Sequence, residues 1–314
     1  MRWEERIGRR LKLKDLHILE AINRLGSMAR AAEDLAISQP AISKAMGDLE
    51  HTLGVALLDR SSRGVELTDC GRILLRRGRV VFDEIRQGLK EIEHLSDPAT
   101  GEVRVGTVEP MTAFVSAVVD RASRRYPKMA YHVSISDVTT LLRGLRDREL
   151  DLVIARWMPT SPEEDLAAEI LFRDRLVVMV GASHPLAKRR NKLLLVDLMN
   201  ERWALPPHDS FFGRLVGQAF RAQNLDLPNT TLTSISVQMR LDLLESGRFL
   251  TVHPNSLLKH SGNRGRYKAL PVDLRDAAGP IACITLHQRP ATGPARLFAE
   301  ATRAVAKAAG SPAE

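Results

Sequence analysis

The chain has little cysteine and no long apolar run. Only two of its 314 residues are cysteines, Cys70 and Cys283, and they lie far apart. We therefore expect no disulfide framework and a reducing, cytoplasmic location. No apolar stretch approaches the roughly 18 residues that a membrane helix needs, so we expect no membrane association. The charged residues 1–10 contain no apolar core, so they do not resemble a signal peptide.

The motifs of common enzyme classes are also missing from the sequence. It contains no glycine-rich phosphate loop, no His-Glu-x-x-His, no Gly-x-Ser-x-Gly nucleophile elbow and no Cys-x-x-Cys. Its nine histidines are scattered, and none has metal-ligand spacing to another. We therefore predict no catalytic residue, no metal, no cofactor and no enzymatic activity.

Residues 28–47 have the pattern of two short helices joined by a tight turn. Ser27 and Ser38 are predicted N-caps, and Pro40 falls in the first turn of the second helix, where its missing N–H is tolerated. Four apolar residues of the second helix repeat at steps of four, three and four and form one stripe: Ile42, Met46, Leu49 and Leu53. An ordinary helical hairpin with solvated polar residues is the simpler interpretation.

Polar side chains at the start of that second helix suit DNA recognition. In a helix-turn-helix, these positions meet base edges in the major groove. Glutamine can bond adenine, serine a base or a phosphate, and lysine a phosphate or guanine. The predicted DNA-contacting residues of the two helices are Arg30, Ser38, Gln39, Pro40, Ser43 and Lys44.

A small hairpin and a long helix are predicted next. Residues 56–59 and 65–67 suit two strands, with Arg60 and Arg63 placed to reach phosphate or the minor groove. Residues 1–67 would then form a winged helix-turn-helix domain, and residues 68–95 a long linker helix. The apolar and glycine positions of this helix form a heptad seam: Leu74, Gly78, Val81, Ile85, Gly88, Ile92 and Leu95. Packing of the helix on its own domain is the alternative.

Beyond a hinge at residues 96–100, strands and helices alternate in an α/β pattern, which favours a parallel sheet covered by helices on both faces. Residues 101–314 are predicted to form two lobes joined by two crossings. Lobe I comprises about 101–173 and 278–309, and lobe II about 174–277.

Ligands of such folds bind beyond the carboxyl ends of strands and between lobes. This rule selects ten candidate residues: Thr107, Glu109, Met111, Thr112, Arg156, Trp157, Ser210, Phe211, Ser236 and Gln238. Ser136 and Asp137, after the second strand of lobe I, and His253 and Pro254, after a strand of lobe II, are further candidates. Helix N-termini near Thr112 and Ser236 favour an anion. Arg156 could pair with a carboxylate, and Trp157 could stack on a ring. Each could instead be a loop residue without a ligand role.

One ordered run of residues resembles the LysR-type transcriptional regulators. The matching segments are Ala31-Ala32, Leu35, Ser38-Gln39-Pro40-Ala41-Ile42-Ser43, Leu49-Glu50, Leu53-Gly54, Leu57-Leu58-Asp59-Arg60, Arg63-Gly64-Val65-Glu66-Leu67-Thr68 and Gly71. The resemblance implies a bilobal effector domain similar to type 2 periplasmic binding proteins. It also implies that residues 68–95 are a dimerisation helix and that the chain forms a homodimer or homotetramer. The implied partners are double-stranded DNA and RNA polymerase. The branch it is most similar to is linked to sugar and aromatic-acid catabolism, which implies a sugar or a small organic or aromatic acid as effector.

The expected function is therefore ligand-responsive transcriptional regulation. A dimer would bind a partly palindromic operator, and an effector between the lobes would change DNA bending. Two alternatives are an enzyme and a solute-binding protein, each fused to a DNA-binding module. The missing catalytic motifs argue against the enzyme, and the missing export signal argues against the solute-binding protein.

Overall fold

A computed structural model describes residues 11–61, 64–96, 100–158, 163–260, 265–274 and 278–308. The chain divides into two compact units, Met1–Leu89 and Lys90–Glu314. The finer boundaries predicted at residues 67, 95 and 100 remain predictions, and residues 97–99 of the predicted hinge lie outside the described chain. No helix in the described ranges is both long and apolar enough to cross a membrane.

The first unit contains a helix-turn-helix followed by a two-stranded hairpin. Its elements are α1 (Leu13–Leu25), α2 (Met28–Asp34), α3 (Gln39–Leu53), β1 (Leu58–Ser61), β2 (Gly64–Leu67) and α4 (Asp69–Ser96), which continues into the second unit. Glycines in the left-handed conformation, Gly26 and Gly54, end α1 and α3. The predicted stripe of α3 is confirmed, because Ile42, Met46 and Leu49 are almost completely buried in the unit's core.

The predicted N-caps behave differently. Ser27 caps α2, since its hydroxyl accepts a bond from Arg30 N at 3.4 Å. Ser38 occupies the N-cap position of α3, but its side chain makes no capping bond, and the first turn bonds to its backbone carbonyl instead. The turn between the helices places Ala36 at φ 52°, a conformation that costs a non-glycine residue about 1–2 kcal/mol.

The hairpin is fixed to the recognition helix by one carboxylate. Glu50 Oε1, on α3, accepts bonds from Leu57 N at 2.7 Å and Leu58 N at 3.0 Å. Strands β1 and β2 pair antiparallel, with Leu58 opposite Leu67. The first strand therefore begins two residues later than predicted, because Ala56 and Leu57 use their carbonyls to bond Thr68 rather than to pair across the hairpin.

The predicted heptad seam of α4 has two parts, one packed against the same chain and one exposed. A Cβ at Gly78 would lie 3.4 Å from the side chain of Leu16. At this position α4 therefore packs on α1 of the same chain at an ordinary contact distance, as the alternative of packing on its own domain predicts. Further along, Val81, Ile85 and Ile92 are 41%, 44% and 63% exposed, and a Cβ at Gly88 would meet nothing within 4 Å. The described apolar side chains of the seam beyond Gly78 are therefore exposed in this chain, and we call them the open seam.

The second unit is built on one mixed sheet with helices on both faces. Its helices are α5 (Thr112–Arg125), α6 (Val138–Arg146), α7 (Phe211–Arg221), α8 (Val237–Glu245), α9 (Ser256–His260) and α10 (Gly293–Ala308). Its strands are β3 (Gly101–Thr107), β4 (Met129–Ile135), β5 (Leu152–Arg156), β6 (Leu166–Gly181), β7 (Trp203–Leu205), β8 (Thr230–Thr233), β9 (Leu250–Pro254), β10 (Tyr267–Ala269) and β11 (Ala278–Leu286).

The strand order is β4-β3-β5-β11-β6-β9-β7-β8, with β10 paired to β6. As predicted, β11 returns to lobe I, where it pairs with β5. The wholly parallel sheet expected from the α/β rhythm is wrong. Strand β6 runs through both lobes and β11 runs back beside it, so both pair antiparallel with their neighbours, and β6 also pairs antiparallel with β9.

Each lobe has apolar cores on the two faces of its sheet. In lobe I the larger core lies under α5 and α10, with Phe114 and Phe298 fully buried, and a smaller one lies under α6. In lobe II, Trp203 and Phe220 pack edge to face at 5.6 Å, and the Trp203 indole N–H donates to Leu198 O at 2.9 Å. These cores hold the loops at the strand ends in fixed positions.

Candidate DNA-binding surface and ligand cavity

The exposed side chains at the start of α3 form the candidate DNA-binding surface. Ser38, Gln39, Pro40 and Lys44 are exposed, and Ser43 is half-buried. The opposite face of α3 is the buried stripe, so this row of side chains has a rigid support. Arg30 is also exposed, on α2. Arg63 lies outside the described residues, and only the backbone of Arg60, in β1, is described.

A cavity of about 760 Å³ opens between the two lobes of the second unit. Its walls combine the loop after β3, the loop after β4, and the starts of α7 and α8. The residues lining it are Val108, Glu109, Pro110, Ile135, Ser136, Asp137, Pro206, Asp209, Ser210, Phe211, Phe212, Arg214, Ile235, Ser236 and Arg240. Three of them, Asp137, Ser210 and Ser236, are the N-cap residues of α6, α7 and α8. The carboxylate of Asp137 already caps α6, accepting a bond from Thr140 N at 3.0 Å. The starts of α7 and α8 carry partial positive charge, which favours a negatively charged group.

Four of the ten predicted effector residues line the cavity: Glu109, Ser210, Phe211 and Ser236. The hydroxyls of the two serines already accept helix-capping bonds, from Gly213 N and Met239 N. Phe211 is 39% exposed and offers an apolar wall.

The other six lie away from the cavity lining. Met111 is buried in the lobe I core. The hydroxyl of Thr112 donates to Glu109 O, and the amide of Gln238 donates to Asp242 at 2.6 Å. The Thr107 hydroxyl is fully buried and donates to Ile154 O at 2.9 Å.

Arg156 and Trp157 are also used within lobe I. The Arg156 guanidinium donates to Asp174 O at 3.1 Å, and burial lowers the pKa of this arginine. Trp157 packs on the lobe I core, and its backbone N–H donates to Pro280 O at 2.9 Å. The strand-end rule therefore located the cavity but not the direction of these side chains.

A buried arginine and a buried histidine form a pair at the edge of the cavity, and the sequence did not predict this pairing. Arg240 is 1% exposed, donates to Ser234 O, and places Nη2 3.2 Å from His253 Nε2. Since arginine only donates, His253 accepts through Nε2. Within the described chain, neither Arg240 Nε nor His253 Nδ1 has a hydrogen-bond partner. Phe212, a lining residue, stacks on His253 with ring centroids 6.0 Å apart.

Burial shifts the pKa of both members of this pair. It lowers the pKa of Arg240 to about 10, opposed by the charge of Glu109, so the guanidinium stays positive at neutral pH. Burial, and then the neighbouring Arg240, hold the pKa of His253 well below its usual value. The cavity therefore has a desolvated fixed cation beside a neutral histidine.

One carboxylate of lobe I already reaches across the cavity to the start of α8 in lobe II. Glu109, in the loop after β3 of lobe I, accepts a bond through Oε1 from Val237 N of lobe II at 3.3 Å. Val237 is the first residue of α8, and Arg240 is on the next turn. Glu109 thus occupies the helix N-terminus that a ligand anion would favour.

The neutral His253 predicts a pH-dependent stability. An unfolded chain binds a proton at this histidine as the pH falls below its usual pKa of about 6.5, whereas the folded chain does not. The free energy of unfolding should therefore fall by up to about 1.4 kcal/mol for each pH unit below that value. His253→Gln keeps an acceptor for Arg240 and should remove this loss. Urea unfolding at pH 7.5 and 5.0, followed by tryptophan fluorescence, measures this loss. Equal pH dependence in both proteins would contradict the assignment.

A helix-turn-helix unit followed by a bilobal unit with a ligand cavity defines the class of ligand-responsive DNA-binding regulators. Two family models match the chain: "Bacterial regulatory helix-turn-helix protein, lysR family" over residues 13–72, and "LysR substrate binding domain" over residues 96–307. The chain belongs to the LysR family of transcriptional regulators. Members of this family bind DNA and small-molecule effectors and form oligomers.

Individual relatives agree with this assignment. The regulator GbpR of Azospirillum brasilense is 28% identical over 296 residues, covering 94% of this chain and 86% of its own. A full-length OxyR variant from Pseudomonas aeruginosa has a TM-score of 0.66 at 21% identity, with 95% of each chain covered. CbnR, a LysR family regulator, has a TM-score of 0.63 at 21% identity, covering 94% of this chain and 99% of its own. The two structures share the fold of this chain.

Proposed function

We propose that the first turn of α3 reads an operator sequence in the major groove. The observation that supports this most strongly is the exposed row Ser38, Gln39 and Lys44, backed by a buried stripe on the same helix. Gln39 is the base reader, because its amide can both donate to and accept from adenine. Ser38, Ser43 and Arg30 contact phosphates or neighbouring bases, and Lys44 contacts a phosphate. Pro40 packs against the groove wall, and Arg60 and Arg63 contact the DNA backbone nearby.

Gln39→Ala should weaken binding to the preferred operator by about 1–3 kcal/mol and leave non-specific binding unchanged, because only base contacts are lost. Lys44→Ala is the matched comparison, since loss of a phosphate contact weakens binding to all sequences alike. Fluorescence anisotropy with an operator and a scrambled duplex at one salt concentration measures both. An equal loss on the two duplexes for Gln39→Ala would remove it as a base reader.

We infer that the open seam of α4 joins two copies of the chain. Val81, Ile85 and Ile92 expose apolar surface on one side of the helix, and Gly88 between them leaves room for a close helix–helix approach. A second copy of the same seam covers this surface in a symmetric dimer. Two such dimers would make a tetramer. The proposed division of the chain follows from this: 1–67 binds DNA, 68–95 dimerises, and 101–314 binds the effector.

We propose that the effector is a small organic or aromatic acid rather than a neutral sugar. The cavity offers the Arg240 guanidinium, the more exposed Arg214 and the N-termini of α7 and α8 to a carboxylate. Its apolar walls, Phe211, Phe212 and Ile235, suit the body of such an acid. The effector carboxylate displaces Glu109 from the start of α8, and this exchange changes how the two lobes contact each other.

A thermal-shift screen that compares small carboxylic acids with neutral sugars tests the effector class. A ligand present at 100 times its dissociation constant should add about 2.7 kcal/mol of stability. Stabilisation by sugars alone would contradict the proposal. We further propose that the protein acts in the cytoplasm, contacts RNA polymerase when bound to the operator, and has no catalytic activity. In the described ranges, no group of three or more His, Cys, Asp or Glu side chains could hold a metal.

A further inference from the structure

A second cavity, separate from the one between the lobes, lies on the surface of lobe II. Its volume is about 430 Å³, and it shares no lining residue with the cleft. Its lining is Arg175, Leu176, Val177, Arg190, Lys192, Ala269, Leu270, Pro271, Val272, Asp273 and Leu274. Three cations from two distant segments therefore converge on one concave surface, with a single carboxylate among them.

The three cations are available for a ligand. Arg175, Arg190 and Lys192 are exposed, and the structure gives none of them a carboxylate partner within the described residues. Other exposed arginines of the same unit are paired: Arg303 bonds Glu169 through two nitrogens at 2.7 and 2.9 Å, and Arg266 bonds Glu245. Like charges on one concave surface repel each other, and a bound anion would relieve this repulsion.

The floor of the cavity is rigid and apolar. Leu176 and Leu270 are 3% and 4% exposed and belong to the main core of lobe II. The segment after β10 is held by Leu193 N bonding Pro271 O at 3.0 Å and by Gln223 bonding Asp273 O at 2.7 Å. The cations thus surround a fixed apolar surface rather than a mobile loop.

We propose that this cavity binds a phosphate monoester of a small ring-bearing molecule. A dianionic phosphate matches two guanidinium groups and an ammonium, and guanidinium groups bond phosphate oxygens in pairs. The apolar floor supports one face of the ring, and Asp273 accepts a bond from a ring hydroxyl. Inorganic phosphate shares the charge but lacks the ring, so it binds more weakly at the same place.

Isothermal titration of the full-length protein with fructose 6-phosphate, AMP and inorganic phosphate tests this. At least one monoester should bind more tightly than inorganic phosphate. The double variant Arg190→Gln/Lys192→Gln should weaken that binding at least about tenfold, because each lost bond joins charged groups. Arg175→Gln alone should weaken it in the same direction. The matched control Arg221→Gln/Lys307→Gln removes the same charge from exposed positions outside the cavity and should change binding less than twofold.

Three results would overturn the proposal. The first is equal weakening in the control, which would indicate a general charge effect. The second is loss of monoester binding in Arg240→Met, which would place the phosphate in the cleft. The third is no monoester binding at all. If Arg190→Gln/Lys192→Gln then also binds duplex DNA less tightly than the wild type, the cations contact the DNA backbone instead. Because the cleft and this cavity have separate residues and probes, failure here leaves the proposed effector site untouched.

Discussion

Replacing Ile85 by aspartate is expected to convert the protein to a monomer and to weaken operator binding by more than a hundredfold. Ile85 lies in the middle of the open seam of α4 and is 44% exposed in the single chain. A carboxylate buried against a second apolar seam would lose its hydration without a partner, which costs several kcal/mol. Each monomer would then hold only one half-site, and the gain from binding two linked half-sites would disappear.

The same substitution elsewhere on α4 provides the control for this prediction. Ile73 is 53% exposed and lies outside the predicted seam, so Ile73→Asp should remain dimeric. Sedimentation velocity gives the oligomeric state, and circular dichroism verifies that both variants are folded. A dimeric Ile85→Asp protein, or equal dissociation of the two variants, would mean that the chain associates through another surface.

Arg240→Met is expected to abolish the response to a carboxylate effector, with binding weakened about tenfold to a hundredfold or more. The guanidinium is 1% exposed, and a hydrogen bond to a charged group in such a site is worth about 1.5–3 kcal/mol. Arg214→Met is the matched control, because Arg214 lines the same cavity but is exposed, and its loss should matter much less.

A second variant keeps this test independent of the folding of Arg240→Met. Glu109→Gln retains an acceptor for Val237 N but removes the competing charge, so it should bind the same acid more tightly than the wild type. Calorimetric titration with the acid found by thermal shift measures all three variants. Unchanged affinity in both Arg240→Met and Glu109→Gln would exclude the start of α8 as the carboxylate site.

Features set by local spacing were predictable from the sequence. The stripe of α3, the glycine that ends α1 and the helix from Gly293 to Ala308 all follow from short-range periodicity and capping. Strand pairing was not predictable from local spacing, because it depends on residues that are distant in the sequence. The first half of β6 contains Glu169, Arg173 and Asp174, so its polar sequence does not have the pattern of a buried strand, yet it pairs with β11 along its length.

The cavity was predictable in position but not in composition. Glu109 and Ser236 were predicted by the rule that ligands bind at strand ends, and both line the cavity. Thr107 is still part of its strand, where side chains alternate between the two faces, and its hydroxyl donates to Ile154 O instead of facing the cavity. Arg240 follows Met239 on a short helix and has the pattern of an ordinary solvated cation. Only packing against His253, thirteen residues away, makes it a buried one.

The most direct test of the account is the stoichiometry and symmetry of DNA binding. Duplexes selected from a random pool by the purified protein should contain two inverted half-sites about 10 base pairs apart, as two recognition helices of a dimer require. Sedimentation of the complex should give an even number of chains per duplex, and Gln39→Ala should lose the selected sequence. Selection of no sequence, or a single chain bound to an asymmetric site, would contradict the account.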